Sequence, residues 1–451
     1  MTVSPDAFKA YDVRGLYPQE LDAEGARRIG AALAGQLGAH RLAVGHDPRL
    51  SSPELAAAFA VGAESAGARV TGFGMIPTEM LYFGVADRGF DGGVAVTASH
   101  NPPQYNGMKL VGEGALPLSG DAGIPELKRR VLAMERAPAA AEPHVAPDDL
   151  YPDYVRHLLA QVDAAGLRPC RVVMDAANGA AGKLAPLVFD RTPVERIELY
   201  FEVDGRFPNH DPNPLLEPNS RELRARVVAA KADLGIAWDG DADRCFFIDE
   251  TGAFVPGDFV TALLAEALLA RHPGAKILYD LRASRAVPDT IRAGGGQALV
   301  NRVGHAFFKQ RMRRESVLFG GEVSGHYYFQ ANHNADSGFI PALLILELLA
   351  RKQATMAELL APLRSTYFIS GEINSRVDDV PAALARLERR FADGAIGHLD
   401  GVSVDYPDWH FNVRPSNTEP LLRLNLGATS AAQMEEKRDL VLSIILRDGA
   451  S

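Results

Sequence analysis

Val96-Thr97-Ala98-Ser99-His100-Asn101-Pro102-Pro103 sets one hydroxyl nucleophile where an apolar run ends and turn-forming residues begin. Gly92-Gly93-Val94-Ala95-Val96 reads as a short buried strand, and Asn101-Pro102 stops it from continuing. Ser99 therefore falls on a loop at a strand end, where α/β proteins keep their chemistry. Trp238-Asp239-Gly240-Asp241-Ala242-Asp243-Arg244 offers carboxylates at alternate positions between apolar stretches. In extended or loop backbone that spacing turns three carboxylates towards one point. They repel there unless a cation joins them, and oxygen-only ligation suits a hard ion such as Mg²⁺. Asp239, Asp241, Asp243 and Glu250 also match ligand positions of a calcium EF-hand loop. Arg244, however, stands where that loop needs glycine, and Cys245-Phe246-Phe247-Ile248-Asp249 is a strand-like run. A third segment, Arg414-Pro415-Ser416-Asn417-Thr418-Glu419-Pro420, collects a guanidinium, two hydroxyls and an amide ahead of a strand-like run. That composition suits a phosphate cradle.

Alternating strands and helices must position these loops. A helix at about 23–37, the strand Arg41-Leu42-Ala43-Val44, a helix started by Ser52 with Pro53 at its first position, and the strand feeding Ser99 form a doubly wound section. The stretch 137–152, rich in Ala, Pro and acidic residues, is the clearest boundary. A second section runs from Arg171-Val172-Val173-Met174-Asp175 through the aspartate loop and the strand after it. A third has a helix at about 259–270, the strand Lys276-Ile277-Leu278-Tyr279-Asp280 and a strand Val317-Leu318-Phe319 entering Gly320-Gly321-Glu322. From about 366 the pattern becomes α+β and ends in a helix at about 431–446. The expected fold is three successive mixed α/β domains, 1–146, 147–250 and 251–365, plus a C-terminal α+β domain, 366–451.

A net charge of −10 with no basic run argues against a nucleic-acid partner, although local arginines can still bind an anionic small molecule. The two cysteines, Cys170 and Cys245, lie in strand-like runs and fit a reducing compartment better than a disulfide framework. The start of the chain lacks a secretory pattern. The most apolar stretch, 339–350, is interrupted by Glu347 and too short for a bilayer, so the protein is expected to be cytoplasmic and not a membrane protein.

Six segments carry a resemblance: Phe8-Lys9-Ala10-Tyr11-Asp12-Val13-Arg14-Gly15, Thr97-Ala98-Ser99-His100-Asn101-Pro102, Asn106-Gly107-Met108-Lys109, the aspartate loop, Gly321-Glu322-Val323-Ser324-Gly325-His326 and the Arg414 segment. In order and spread, the chain resembles the α-D-phosphohexomutase superfamily, most closely its bacterial phosphomannomutase/phosphoglucomutase group. The resemblance implies four domains around a central active-site cleft. It implies that Ser99 carries a phosphoryl group, and that Mg²⁺ binds a phosphoryl oxygen there with Asp239, Asp241 and Asp243. Arg14 and Arg244 serve as further cations. Lys109 is the first candidate for the base that deprotonates the attacking sugar hydroxyl, its pKa expected to fall towards neutrality among surrounding cations. His100 either joins the chemistry or only orients the loop, and His305 assists proton transfer from a substrate-contacting position.

Glu322 and Ser324 are expected to grip ring hydroxyls, with Tyr11, Arg282 and His326 also at the substrate. Arg282 stands where many relatives carry lysine. Arg414, Ser416, Asn417 and Thr418 would hold the phosphate that is not being transferred. The implied reaction moves phosphate between the 1 and 6 positions of a hexose phosphate, mannose and/or glucose. Hexose 1,6-bisphosphate is its intermediate and activator, and the enzyme is expected as a monomer. A phosphoglucosamine mutase is the nearest alternative. A non-catalytic sugar-phosphate-binding protein would need neither Ser99 nor Lys109, and a metal-dependent phosphatase would have no use for the Arg414 loop.

Overall fold

The computed structural model describes residues 3–118, 123–136, 145–415 and 421–446. Two compact units divide the chain: Met1–Val255 with Phe308–Phe319 and Ser324–Met356, and Pro256–Phe307 with Gly320–Val323 and Ala357–Ser451.

The first unit begins with β1 (Val13–Leu16), α1 (Ala23–Leu37), β2 (Arg41–His46), α2 (Ser52–Ser65), β3 (Arg69–Met75) and α3 (Thr78–Asp87). It continues with β4 (Gly92–Val96), β5 (Tyr105–Gly112), α4 (Ile124–Ala133) and β6 (Ala146–Pro147). Strand order is β1-β5-β4-β2-β3-β6. β5 runs antiparallel to both neighbours, and the other pairs are parallel. All five residues of β4 are buried, as expected for an interior strand covered on both faces. Asp22 caps α1 by accepting from the Gly25 N–H, and Gly38, in the left-handed region, ends the helix.

α1 and α2 touch backbone to backbone. A Cβ on Gly62 would lie 1.8 Å from the Arg27 carbonyl oxygen, and one on Gly30 2.1 Å from that of Phe59. Gly62→Ala should therefore force the helices apart and lower stability by about 2–3 kcal/mol, read as a fall in the urea midpoint at unchanged m-value. Ser51, not Ser52, occupies the N-cap of α2, and it makes no side-chain cap. The Ser52 hydroxyl donates instead to Asp47 (2.6 Å), and the Asn106 amide donates to both serines. These long-range partners outcompete the local cap that sequence predicts.

A second sheet in this unit follows α5 (Tyr151–Leu159): β7 (Cys170–Asp175), α6 (Ala181–Phe189), β8 (Val194–Leu199), α7 (Glu217–Ala230), β9 (Leu234–Trp238), β10 (Cys245–Asp249) and β11 (Phe254–Val255). Its order is β11-β10-β9-β7-β8, with β7, β8 and β9 parallel and β10 antiparallel to β9. Cys245–Asp249 is thus strand, and Glu250 lies in the turn beyond it, which removes the EF-hand reading.

The second unit starts with α8 (Gly257–Leu269), β12 (Lys276–Asp280), α9 (Ala286–Ala293) and β13 (Gln297–Asn301), and β12 pairs parallel to β13. α10 (His305–Glu315) and β14 (Phe319–Gly321) carry the chain between units. β14 lies further along than the expected Val317-Leu318-Phe319. Gly321 allows this, because a Cβ there would sit 2.3 Å from the Thr261 hydroxyl. β15 (Tyr327–Phe329) and β16 (Ala335–Asp336) form an antiparallel hairpin in the first unit, followed by α11 (Phe339–Lys352).

After α12 (Met356–Thr366) come β17 (Phe368–Ile369), β18 (Ile373–Arg376), α13 (Val380–Arg390), β19 (Ala395–Gly397) and β20 (Val402–Asp405). β21 (Trp409–Pro415), β22 (Leu421–Ala428) and α14 (Ala431–Ile445) complete the chain. These strands pair antiparallel in the order β17-β22-β21-β20-β19, with β18 also on β22. α13 and α14 cover a core that includes Leu387, Phe411, Val413, Leu424 and Ile445. The fold is three successive α/β sections and a C-terminal α+β section. No helix among the described residues is long and apolar enough to cross a membrane.

Candidate active site

In the first unit the polar side chains of interest follow the carboxyl ends of parallel strands. Asp47 and Arg49 follow β2, Thr78 follows β3, Ser99 follows β4, and Asp239, Asp241 and Asp243 follow β9. Helices do the covering elsewhere, so this rim is where polar groups can converge. Ser99 has φ +50°, the left-handed region that non-glycine residues rarely adopt. The Thr97 hydroxyl holds it by accepting from the Ser99 N–H at 2.8 Å. Gly240, between two of the aspartates, is needed for closeness: a Cβ there would stand 2.7 Å from the Ser99 carbonyl oxygen.

Ser99 Oγ donates to Asp239 Oδ2 at 2.7 Å, and His100 Nδ1 lies 3.4 Å from the same Oγ. Asp241 Oδ2 accepts from Thr78 (2.6 Å), Thr97 (3.2 Å) and Lys109 Nζ (2.7 Å), and Lys109 also pairs with Asp243. Strand register delivers the cations. Lys109 on β5 faces Ala95 on β4, and Arg14 on β1 faces Gly107 on β5. Arg14 donates to Asp12 (2.5 Å) and to Asn101 Oδ1 (2.6 Å), and Arg244 Nε is 3.6 Å from Asp239. Tyr11 is half-buried in the bend that precedes β1.

Asp239, Asp241 and Asp243 are each about 1% exposed or less, and their oxygens lie within 4.8 Å of one another. Burial, then Asp241 and Asp243, push the Asp239 carboxyl up to about 7. Burial pushes Asp241 the same way, but Lys109 outweighs it and holds that carboxyl well down. Asp241 Oδ1 and Asp243 Oδ1 are buried with no hydrogen-bond partner among the described residues. Two orphaned carboxylate oxygens in an all-oxygen cluster fit a hard divalent cation.

Lys109 departs from expectation. Burial would lower its pKa, but Asp241, Asp243 and Asp239 outweigh that and raise it above the ordinary lysine value. In the metal-free protein carboxylates, and not cations, lie nearest its ammonium. His100 is held neutral by burial and by Arg244, Arg14 and Lys109.

His326, 7% exposed, has Nδ1 3.2 Å from Asp336 Oδ2 and 3.8 Å from Asp243 Oδ1. Asp336 in turn pairs with Lys309, fully buried, at 2.7 Å. Asp243, His326 and Asp336 could geometrically hold an ion, but Lys309 already pairs with Asp336. Neither Asp336 nor Lys309 stands out in sequence.

Arg49 was equally invisible. Its guanidinium is fully buried and spends all its donors: Nε on Asp47 (2.9 Å), Nη1 on the carbonyls of Pro102 (2.7 Å) and Tyr105 (3.1 Å), Nη2 on those of Ser99 (2.9 Å) and Asn101 (2.6 Å). One side chain thus fixes the whole loop that carries Ser99. Lysine keeps the charge but lacks the fork. Arg49→Lys should lower kcat by about 100-fold with KM little changed; a variant with kcat intact would remove Arg49 from loop positioning.

The second unit groups other candidates. Arg282 donates to Asp280 through Nε (3.1 Å) and Nη2 (2.8 Å), 3.9 Å from Glu322 and 3.5 Å from Glu372. Glu322, 1% exposed, accepts from the Gly304 N–H (2.9 Å), next to half-buried His305 at the start of α10. Arg414 on β21 meets Glu372 at 3.4 Å. Ser324 belongs to the first unit and is half-buried. Ser416, Asn417 and Thr418 lie outside the described residues.

Comparison with known proteins covers nearly the whole chain. Family models described as "Phosphoglucomutase/phosphomannomutase, alpha/beta/alpha domain" I, II and III match residues 5–136, 152–252 and 256–367, and the model of the C-terminal domain matches 372–443. A protein described as "Phosphohexose mutases" from Xanthomonas campestris pv. campestris (strain B100) is 44% identical over 446 residues, 98% of this chain and 99% of its own length. "Phosphomannomutase" of Salmonella typhimurium is 43% identical over 448 residues, 97% of this chain and 98% of its own. The crystal structure of a phosphoglucomutase/phosphomannomutase family protein from Burkholderia thailandensis matches with TM-score 0.88 and 33% identity, covering 98% of this chain and 97% of that one.

Proposed function

The chain belongs to the phosphoglucomutase/phosphomannomutase family, and from that membership and the site's geometry we propose a phosphohexomutase acting on mannose and/or glucose phosphates. It transfers phosphate reversibly between the 1 and 6 positions through phospho-Ser99 and hexose 1,6-bisphosphate. The observation that carries this reading is the Ser99 hydroxyl at 2.7 Å from Asp239, beside two orphaned aspartate oxygens. A sugar-binding protein needs neither.

Asp239, Asp241 and Asp243 would hold Mg²⁺, which when bound supplies positive charge to the phosphoryl oxygens as the P–O bond loosens. Arg49 and Thr97 keep Ser99 in place while its P–O bond breaks and forms. Arg14 and Arg244 are positioned to share charge on the transferring group. Lys109 pairs with Asp241 and Asp243 and balances their charge in the metal-free protein. His326 is assigned to the substrate, and the proton of the attacking hydroxyl to Lys109, with His305 assisting, once a divalent cation takes up the charge of the aspartates. His305, Glu322, Arg282, Ser324 and Tyr11 are assigned to the sugar, and Arg414 with Ser416, Asn417 and Thr418 to the phosphate that stays.

We read the four sections as domains 1–146, 147–250, 251–365 and 366–451, and the protein as a cytoplasmic monomer. The free thiols of Cys170 and Cys245 suit a reducing compartment. The test is kcat/KM for mannose, glucose and glucosamine 1-phosphates with Mg²⁺ and a trace of hexose 1,6-bisphosphate. Comparable rates on the first two are expected; glucosamine 1-phosphate as the best substrate would make it a phosphoglucosamine mutase. Absence of turnover on all three would defeat the mutase reading.

A further inference from the structure

Pairing of β21 with β22 sets Arg414 directly opposite Arg423. Like charges at facing positions destabilise a sheet unless a counter-ion joins them. Glu372, the residue before β18, is that counter-ion. β18 runs beside β22 with Asn374 opposite Arg423, which brings the Glu372 carboxylate within 3.2 Å of Arg423, 3.4 Å of Arg414 and 3.5 Å of Arg282.

These contacts are unequal commitments. Arg282 is already bound through two of its nitrogens to Asp280. Arg414, 7% exposed, has no such commitment among the described residues: its Nε has no partner there, and its acidic contact is Glu372 at 3.4 Å. All three Glu372 distances exceed the 2.7–2.9 Å of a strong charge-assisted bond. The carboxylate is shared among three guanidiniums, with Asn425 beside them, and none of the three guanidiniums holds it at strong-bond distance. Burial would raise its pKa, but Arg282, Arg414 and Arg423 hold it down and keep it ionised.

We propose that Glu372 is a resident competitor for the phosphate gripped by Arg414, a displaceable carboxylate that weakens the grip so that a doubly phosphorylated sugar can be released and re-gripped by its other end. This rests on Arg414 being the holder of the non-transferring phosphate. Without the carboxylate, the paired arginines bind phosphate too tightly to exchange it. Its charge, not its shape, is what matters.

The test is calorimetric titration of the full-length protein with inorganic phosphate. Glu372→Gln should bind phosphate about fivefold tighter, Glu372→Asp about as the wild type does, and the gain should vanish when Arg414→Leu is added. In turnover, Glu372→Gln should lower KM and kcat together. A merely structural anchor would do the reverse, loosening the arginines and raising KM. Weaker or unchanged phosphate binding in Glu372→Gln overturns the proposal. Should glutamine unfold the protein, Glu372→Ala removes the same charge and must show the same tightening. Tighter phosphate binding in a protein that isomerises no hexose phosphate would uphold the role of Glu372 while defeating the mutase reading.

Discussion

Replacing Ser99 with alanine should abolish turnover by about 10⁴-fold or more while leaving the fold and hexose-phosphate binding in place. In the proposed mechanism this hydroxyl carries the phosphoryl group, and no neighbouring side chain is placed to substitute for it. Lys109 is engaged by Asp241 and Asp243, and His100 reaches the Ser99 oxygen. Alanine retains the loop geometry, because Arg49 and Thr97 hold backbone groups of the loop and not the serine oxygen. The checks are kcat with hexose 1-phosphate, calorimetric binding of the same sugar and the thermal midpoint. Activity near wild type would eliminate the phosphoserine mechanism.

Asp243→Asn should be nearly as damaging to activity, about 10³-fold in kcat/KM, yet should not destabilise the metal-free protein. Asp243 contributes one of the two orphaned oxygens, and its charge is part of what raises Asp239. Its loss removes a proposed cation ligand but also relieves repulsion among three buried carboxylates, while Lys109 keeps Asp241 as partner. Mg²⁺ should raise the thermal midpoint of the wild type and do little for the variant, since binding stabilises only in proportion to affinity. An unchanged Mg²⁺ response in Asp243→Asn would dissociate this cluster from metal binding. The two substitutions separate the proposed nucleophile from the proposed cation site.

Local pattern made part of this legible. The apolar run of β4 placed Ser99 on a strand-end loop, and the strand-like run after Arg244 excluded the EF-hand. What local pattern lacks is partners. Thr78 and Asp241 are 163 residues apart, Lys109 and Asp243 134, Arg49 and Ser99 50, and only the fold joins them. Lys109 shows the cost: basic residues near the Ser99 segment predicted a lowered pKa, whereas the groups within bonding distance are aspartates from β9's loop. Likewise the start of α2 was misread by one residue because Asp47 and Asn106 take the serine hydroxyls. The left-handed Ser99 has no signal at all, since a serine in a Thr-Ala-Ser-His stretch does not announce φ +50°. Asp336 and Lys309, which stand behind His326, could have been found only as charged residues too deeply placed to be solvated.

The most direct measurement follows the phosphoryl group itself. The protein is incubated with Mg²⁺ and hexose 1,6-bisphosphate labelled in phosphate, digested, and the label located by mass spectrometry before and after a chase with unlabelled hexose 1-phosphate. The account predicts label on Ser99 alone, leaving during the chase at least as fast as kcat and appearing in hexose phosphate. Turnover proceeding with no phosphate ever on Ser99 would contradict it.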